Sequence, residues 1–416
     1  MNFFKKYLLP PAVILFICTT VDAQLDTSFV KIKLSLGEYL NLVGKQNLTY
    51  AAQRYNVNIA EAGIESAKVF PDPQLAIGAF DNQQATLHLG QGINGGISTN
   101  IELFGKRKAR INLAQSQVQL SKSLLQDYFR NLQADAATAY FNALQQYNLF
   151  IVQQNSYTTM KQLADADSVR FKLGSITEID ARQSKLEAGN LLNTLYQNEA
   201  DWKTALTELS LNTGKAQQDT LLTPTGNFDN LERQFVLGVL INNAQINRAD
   251  IVAAVNAKAV SDKNLELVKA NRKIDLGVSA GVQYNGESTN DIAPTPTYRS
   301  INAGVSIPLK LSNKYKGDIK AAQYSIKQSE LQYEQVLLQI QTEVTASFFN
   351  YKAAQKQVAQ FKNGLLIEAQ KVLTGKIYSY KRGETSLLEV LNAQRTYNDV
   401  QQNYNQFTIQ LCGCIG

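Results

Sequence analysis

The side chains that ordinarily carry chemistry are few in this sequence, and they do not converge. His88 is the single histidine, so neither a Ser/His/Asp set nor a histidine-based metal cluster can be built. No glycine-rich phosphate loop is present. Cys412 and Cys414 are one residue apart, too close for an ordinary disulfide, and no histidine lies near them to complete a metal site. The expectation is a chain that is not an enzyme, with no cofactor and no metal. What does recur is a turn. "VRFKLGSITEID" from Val169 and "YSYKRGETSLLEV" from Tyr378 each set an aromatic and a lysine ahead of a glycine: Phe171, Lys172 and Gly174, then Tyr380, Lys381 and Gly383. Each then places a hydroxyl three residues before a carboxylate, Thr177 with Asp180 and Ser386 with Glu389. A glycine in the left-handed conformation ends one helix, and the hydroxyl–carboxylate spacing is that of a capping box opening the next.

Long helices must position these turns. A chain of 416 residues suggests two or three globular domains from length alone. Its 8 prolines, however, sit only in the leader, at 71 and 73, at 224 and between 294 and 308. The stretches between are rich in Ala, Gln, Leu, Asn and Lys, which suits long helices. The sequence also matches itself. "ISTNIELFGKRKARINLAQSQ" from Ile97 aligns with "VSIPLKLSNKYKGDIKAAQYS" from Val305, an offset of 208, and the turn at Phe171 aligns with Tyr380 at 209. Two tandem copies are expected, 36–214 and 242–411, around a linker at Pro224. Each would run from a first helix (Leu36 to Val69; Gln245 to Lys269) through two extended stretches into a very long helix, the turn and a return helix. Ile319, Ile326, Tyr333 and Ile340 recur at steps of seven beside Leu337, Val344, Tyr351 and Val358. Ile111, Val118, Leu125 and Leu132, beside Phe129, Ala136, Ala143 and Phe150, repeat the seam, a coiled-coil signature. From Gly105 to Arg170 an unbroken helix would reach about 100 Å.

The extended stretches alternate apolar and small polar residues. In "IDLGVSAGVQY", Ile274, Leu276, Val278, Ala280, Val282 and Tyr284 face one way. "INAGVSIPL" from Ile301, "ISTNIEL" from Ile97 and, more weakly, "QLAIGAF" behave alike, joined by loops at Asp81 to Gly96 and Asn285 to Ser300. Alternation also suits a half-buried soluble sheet. These stretches are close to the roughly 9–11 residues that cross a bilayer as strands. Lys5 and Lys6, the apolar run Leu8 to Ile17 and Val21-Asp22-Ala23 form a secretory leader over 1–23, with lipidation at Cys18 the rival reading. No apolar run of transmembrane-helix length follows. Four strands cannot close a barrel, and lipid tolerates no open edge, so membrane insertion requires several chains to share one barrel; three would give twelve strands. A net charge of +6, without basic runs interleaved with aromatics, excludes a nucleic-acid groove.

This arrangement resembles the outer-membrane efflux (TolC) family across nearly the whole mature chain. The marks are the duplication, the two strand pairs and the glycine turns followed by Glu389-Val390-Leu391-Asn392-Ala393-Gln394, with Glu178 to Gln183 as the first-copy counterpart. The resemblance implies a mainly α fold with a small β part: a trimeric, 12-stranded outer-membrane β-barrel, four strands per protomer, continued by a long α-helical coiled-coil periplasmic tunnel. It divides the chain into leader 1–23, first repeat 24–214, linker or equatorial region 215–241 and second repeat 242–416. It implies a passive exit duct of a tripartite efflux system in the bacterial outer membrane. The implied partners are a homotrimer, a periplasmic adaptor (membrane fusion protein), an inner-membrane RND-type pump and outer-membrane lipid, and no nucleic acid. The turns become adaptor-contacting tips: Phe171, Gly174, Ser175, Thr177, Asp180, Tyr380, Gly383, Glu384, Ser386 and Glu389. Asp167 and Glu178, with Asp180 and Glu384, become carboxylates that could ring the tunnel entrance. "LFGKRKAR" (Leu103 to Arg110) resembles the heavy-metal, CzcC-like branch serving RND-type cation pumps, although the second copy has only Asn313-Lys314-Tyr315-Lys316. Lys106, Arg107 and Arg110 also read as basic residues beside lipid headgroups at the membrane rim, or near an equatorial belt. Heavy-metal cations are the implied cargo. The alternatives are a multidrug or type I secretion duct and, from another class, a soluble periplasmic coiled-coil adaptor or scaffold.

Overall fold

The computed structural model describes residues 30–83, 88–215, 220–226, 233–310 and 315–413; the leader with Cys18, Asn313, Lys314 and Cys414 lie outside them. The described chain is mainly helical with a small β part. β1 (Val30–Leu34) leads into α1 (Leu36–Gln46) and α2 (Leu48–Lys68), then the strands β2 (Gln74–Asp81) and β3 (Gln91–Ile101). α3 (Lys106–Lys172) and α4 (Glu178–Asn212) follow, and β4 (Thr220–Pro224) pairs parallel with β1. The same order of elements then recurs as α5 (Leu237–Asn247), α6 (Ala249–Asn271), β5 (Leu276–Asn285), β6 (Tyr298–Ser306), α7 (Lys316–Gln360), α8 (Leu366–Lys381) and α9 (Leu387–Gly413).

Where a single first helix was expected in each half, there are two. Asn47 ends α1 and starts α2: its Oδ1 accepts from the Tyr50 amide at 2.7 Å, and its side-chain Nδ2 donates to Asn212 O at 2.9 Å. Arg248 does the same between α5 and α6, held by Asp250 and Glu343, each at 2.7 Å. The second pair also begins earlier than expected, at Leu237, inside the stretch read as linker. The expected 100 Å helix is present as α3, 67 residues and about 100 Å at 1.5 Å per residue. Its counterpart is not continuous: a π-helical turn, Phe361–Leu365, separates α7 from α8. Of the heptad seam, Val118, Leu132, Ala136, Ala143, Ile340, Tyr351 and Val358 are buried, and the other positions are half-buried.

The sheet runs β2-β3-β5-β6, antiparallel throughout, with β2 and β6 as its two edges. β3 begins at Gln91, so six residues read as loop belong to a strand, and β6 spans Tyr298–Ser306, outside the reach of Pro308. Register places Leu75, Ile97, Ala280 and Ala303 in one cross-strand row and Ile77, Gly95, Val282 and Ile301 in the next. Among the described residues nothing covers this face; Ile77 is 75% and Ile301 87% exposed. The opposite rows are small and polar: Ser98, Ser279 and Gly304, then Gly96, Gly281 and Asn302. An apolar face turned outward, with polar residues on the other, inverts the usual relation of a sheet to a core. Among the described residues no helix is long and apolar enough to cross a membrane.

Between sheet and turns, two tyrosines pin the connecting segments to the long helices. The Tyr140 hydroxyl on α3 donates to Thr225 O at 2.6 Å and accepts from the Thr225 amide at 3.0 Å. On α7, Tyr351 donates to Arg233 O at 2.6 Å and accepts from its amide at 2.8 Å. Around them lie one core of Tyr39, Val43, Trp202 and Leu206 and another of Ala354, Val358 and Leu411.

Candidate functional site

The two glycine turns share one backbone geometry. At the end of α3, Gly174 has φ 71°, its amide donates to Phe171 O at 2.9 Å, and the Ser175 amide reaches back to Arg170 O at 2.9 Å. At the end of α8, Gly383 has φ 79°, with Gly383 to Tyr380 O at 3.0 Å and Glu384 to Ser379 O at 3.0 Å. These paired bonds satisfy the last helical carbonyls and require a residue that tolerates positive φ. The following caps differ. Thr177 Oγ1 accepts from the Asp180 amide at 3.1 Å and donates to the Asp180 carboxylate at 2.7 Å, which secures the start of α4. The capping box expected of Ser386 and Glu389 does not form. The Glu389 amide bonds to the Ser386 carbonyl at 3.2 Å, while its carboxylate is taken by Lys376 across the hairpin. The hydrogen bond from Lys376 and its charge hold that carboxyl below its ordinary value.

The aromatic residues of the turns also part company. Phe171 is 41% exposed, whereas Tyr380 is buried among Met160, Leu163, Ala188, Leu191 and Val390. Tyr380 is therefore a packing residue of the tip and presents no surface to a partner. Its hydroxyl donates to Asp167 on α3 at 3.1 Å. Asp167 is completely buried, not a solvated carboxylate of an entrance ring. Arg170, one turn below it, lies 3.5 Å from the carboxylate and stacks 5.0 Å above the Tyr380 ring. Burial pushes the Asp167 carboxyl above its ordinary value, against hydrogen bonding from Ser184 on α4 and Tyr380 and the charge of Arg170. Burial, then the neighbouring Asp167 charge, pushes the Tyr380 hydroxyl up to about 12, so it stays a donor. One buried cluster thus ties the α3–α4 hairpin to the α8–α9 hairpin. A second link lies one level up: Gln394 Nε2 donates to Ser156 Oγ at 3.0 Å, and Ser156 donates to Asn398 at 2.7 Å. The remaining tip carboxylates are exposed and locally paired, Glu178 with Arg182 at 2.5 Å and Glu384 with Arg382 at 2.7 Å, worth little to stability at such exposure.

Lys106, Arg107 and Arg110 stand where β3 passes into α3, and their charges are taken up inside the chain. Lys106 is buried, with its amine 2.6 Å from both carboxylate oxygens of Asp275 beside β5. Arg107 donates to Lys68 O at 2.7 Å and lies 4.2 Å over the Phe70 ring. Arg110 donates to Ala67 O and Val69 O and pairs with Glu102 at 2.7 Å. The three carbonyls belong to the end of α2, where cations complement the helix dipole. The motif is thus a junction that joins α2, β3, α3 and the approach to β5, with each of its three cations paired within the chain. Arg170, Ser184, Lys376, Ser156 and Asn398 were not singled out from the sequence; all but Ser156 stand within one or two helical turns of a motif residue, and Ser156 lies about three turns from Asp167. Among the described residues no group of three or more His, Cys, Asp or Glu side chains is placed to hold a metal ion.

Residues 40–215 and 240–412 each match the outer membrane efflux protein family. The chain is 24% identical over 372 residues to the cobalt-zinc-cadmium resistance protein CzcC of Cupriavidus metallidurans, covering 89% of this chain and 85% of that one. It is 23% identical to outer membrane protein TolC of Escherichia coli, over 82% and 73% of the two chains. Among solved structures, the CusC transmembrane channel superposes with a TM-score of 0.74 at 17% identity over 92% of each chain. The CmeC outer membrane channel of Campylobacter jejuni superposes with a TM-score of 0.71 at 14% identity, over 91% and 84%. With two matched segments that together span most of its length, the chain belongs to the outer membrane efflux protein family.

Proposed function

We propose that three copies of this chain form a passive exit duct for heavy-metal cations, spanning the outer membrane and extending into the periplasm. The observation that carries the reading is the four-stranded sheet with two free edges and an uncovered apolar face. Joined edge to edge, β6 of one chain to β2 of the next, three such sheets make a twelve-stranded barrel that leaves no edge in lipid. The apolar rows then face lipid, and the rows of Ser, Gly and Asn face the lumen. The two element sets, read as a tandem duplication, supply two strands each to the barrel and two long helices each to the periplasmic tunnel. An exposed apolar face of this kind argues against a soluble scaffold.

At the far end of the helices, Phe171, Leu173 and Ile179 are exposed apolar residues around the first turn. With Gly174, Ser175, Thr177, Asp180, Gly383, Glu384, Ser386 and Glu389 they form the surface offered to a periplasmic adaptor. The energy comes from an inner-membrane RND-type pump. Glu178, Asp180 and Glu384, repeated threefold, favour cations at the entrance. Opening requires the two hairpins of each chain to part at the Asp167–Tyr380 link. Cation cargo is supported by similarity to CzcC over 89% of the chain. The test is growth of a deletion strain against graded cobalt, zinc, cadmium, copper and silver, with dyes and antibiotics alongside. Metal-only hypersensitivity restored by the intact gene is the expected result. Sensitivity confined to drugs transfers the duct to multidrug efflux, and an unchanged profile transfers it to secreted-protein cargo.

A further inference from the structure

The offset between the matched stretches grows from 208 at Ala114 and Ala322 to 209 at Phe171 and Tyr380. One residue is therefore extra in the second long helix, and a π turn is the way a helix absorbs one residue without breaking. The structure has a wide turn of this kind at Phe361–Leu365: the Leu366 amide reaches back five residues to Phe361 O, and Gly364, at φ 144° and ψ −28°, leaves the helical conformation, so the helix kinks there. The packing records the same slip. Above the turn the inward row is Val344, Tyr351 and Val358, in steps of seven; below it the row is Leu366, Leu373 and Tyr380, displaced by one. Uninterrupted α-helix would instead have brought Leu365, Val372 and Ser379 inward. Of these, Leu365 at the end of the turn and Val372 on α8 are apolar and stand 39% and 50% exposed. Above the turn, Phe361 is anchored on α9 by Tyr404 and Phe407, with ring centroids at 6.2 and 5.9 Å. Around Gly364 itself, an added Cβ would meet nothing within 4 Å.

We infer that the π turn is a one-residue ratchet on which α8 rotates between two registers. This rests on the duct reading above. In the register seen here Tyr380 holds Asp167. If the turn relaxes to α-helix, everything below it rotates by about 100° and lengthens by one residue. Leu365 and Val372 then replace Leu366 and Leu373 at the seam, and Ser379, too short to reach Asp167, replaces Tyr380. The tip is released. α3 has no such turn and stays a fixed strut, and α9 runs past unbroken, so α8 turns against it instead of carrying the hairpin as a block.

Deleting Gly364 keeps Leu366, Leu373 and Tyr380 in step with Val358 but removes the extra residue, which locks the held register. Val372→Asp leaves that register alone and puts a charge in the seam of the other. The full-length protein, both variants and the Gly364 deletion combined with Tyr380→Phe are assayed for assembly in outer membranes and for conductance in planar bilayers in KCl. Expected is normal assembly with an open-time fraction lowered at least about tenfold in each variant, and no rescue of the deletion by Tyr380→Phe. Parental conductance in the deletion overturns the ratchet; if the deletion does not assemble, parental conductance in Val372→Asp does so alone. A parent that never conducts overturns the duct reading and the ratchet with it.

Discussion

Replacing Tyr380 with phenylalanine removes one hydroxyl and little else, because the ring keeps its place among Met160, Leu163 and Val390. The hydroxyl donates at 3.1 Å to a carboxylate with no exposure to solvent. A hydrogen bond to a charged group is worth about 1.5–3 kcal/mol, and burial leaves little for salt to screen. Arg170, at 3.5 Å, does not replace it. The ratio of held to released tips should therefore fall by a factor of roughly 10 to 150. Planar-bilayer recordings read this as a higher open-time fraction, and unchanged conductance in a normally assembled Tyr380→Phe protein would refute the reasoning. The pH dependence has a definite sign. Burial raises the Asp167 pKa in the packed tip, so this group's contribution is fully present below the ordinary 3.8 and is lost as pH rises through the raised value. Acidification from neutral should thus tighten the tip and lower conductance. Asp167→Asn keeps an acceptor for Tyr380, removes the buried charge, and should abolish that dependence.

Asp275→Asn leaves the Lys106 ammonium buried without its counter-ion and should destabilise the junction by about 2–4 kcal/mol, seen as a lower dissociation temperature of the extracted assembly. The apolar pair Lys106→Met with Asp275→Leu should recover most of the loss. Gly174→Val and Gly383→Val force a branched residue to φ 71° or 79°, at a cost of roughly 1–2 kcal/mol each. With nothing within 4 Å of the new Cβ, the effect is confined to the turn: export falls and barrel assembly persists, and loss of the assembly would count against these turns as periplasmic tips. Ile301→Lys puts a charge on the apolar face at a cost of about 2–4 kcal/mol in the middle of the bilayer, whereas Asn302→Lys faces the other way. Outer-membrane accumulation should fail for the first and survive for the second; equal accumulation would remove the lipid-facing assignment.

Features set by local periodicity were legible in the sequence. The alternation of β5 and the step of seven in α3 and α7 each follow from one face being buried, so strand, helix and inward residues came together. The turns at Gly174 and Gly383 were legible because only a few residue types tolerate their φ. What was missed depends on distant partners. The break between α1 and α2 has a local part, the Asn47 cap on the Tyr50 amide, but it is held by a bond to Asn212, 165 residues away. Gln91 to Gly96 reads as a loop from its glycines, but Gly92, Gly95 and Gly96 pair with Asn285, Val282 and Gly281 inside the sheet. Phe171 and Tyr380 occupy equivalent places in two copies of one turn, yet only Tyr380 meets a neighbouring hairpin, so composition could not tell the exposed residue from the buried one. The pairing of Lys106 was not legible because its partner, Asp275, lies 169 positions on. The step from offset 208 to 209 was visible, but only the packing locates the extra residue.

The most direct test of the shared barrel is the mass of the protein extracted from outer membranes in mild detergent. Three chains per particle is the expected result, since three sheets of four strands close without an edge. A single chain, or an assembly released from membranes by carbonate or high salt, would contradict it.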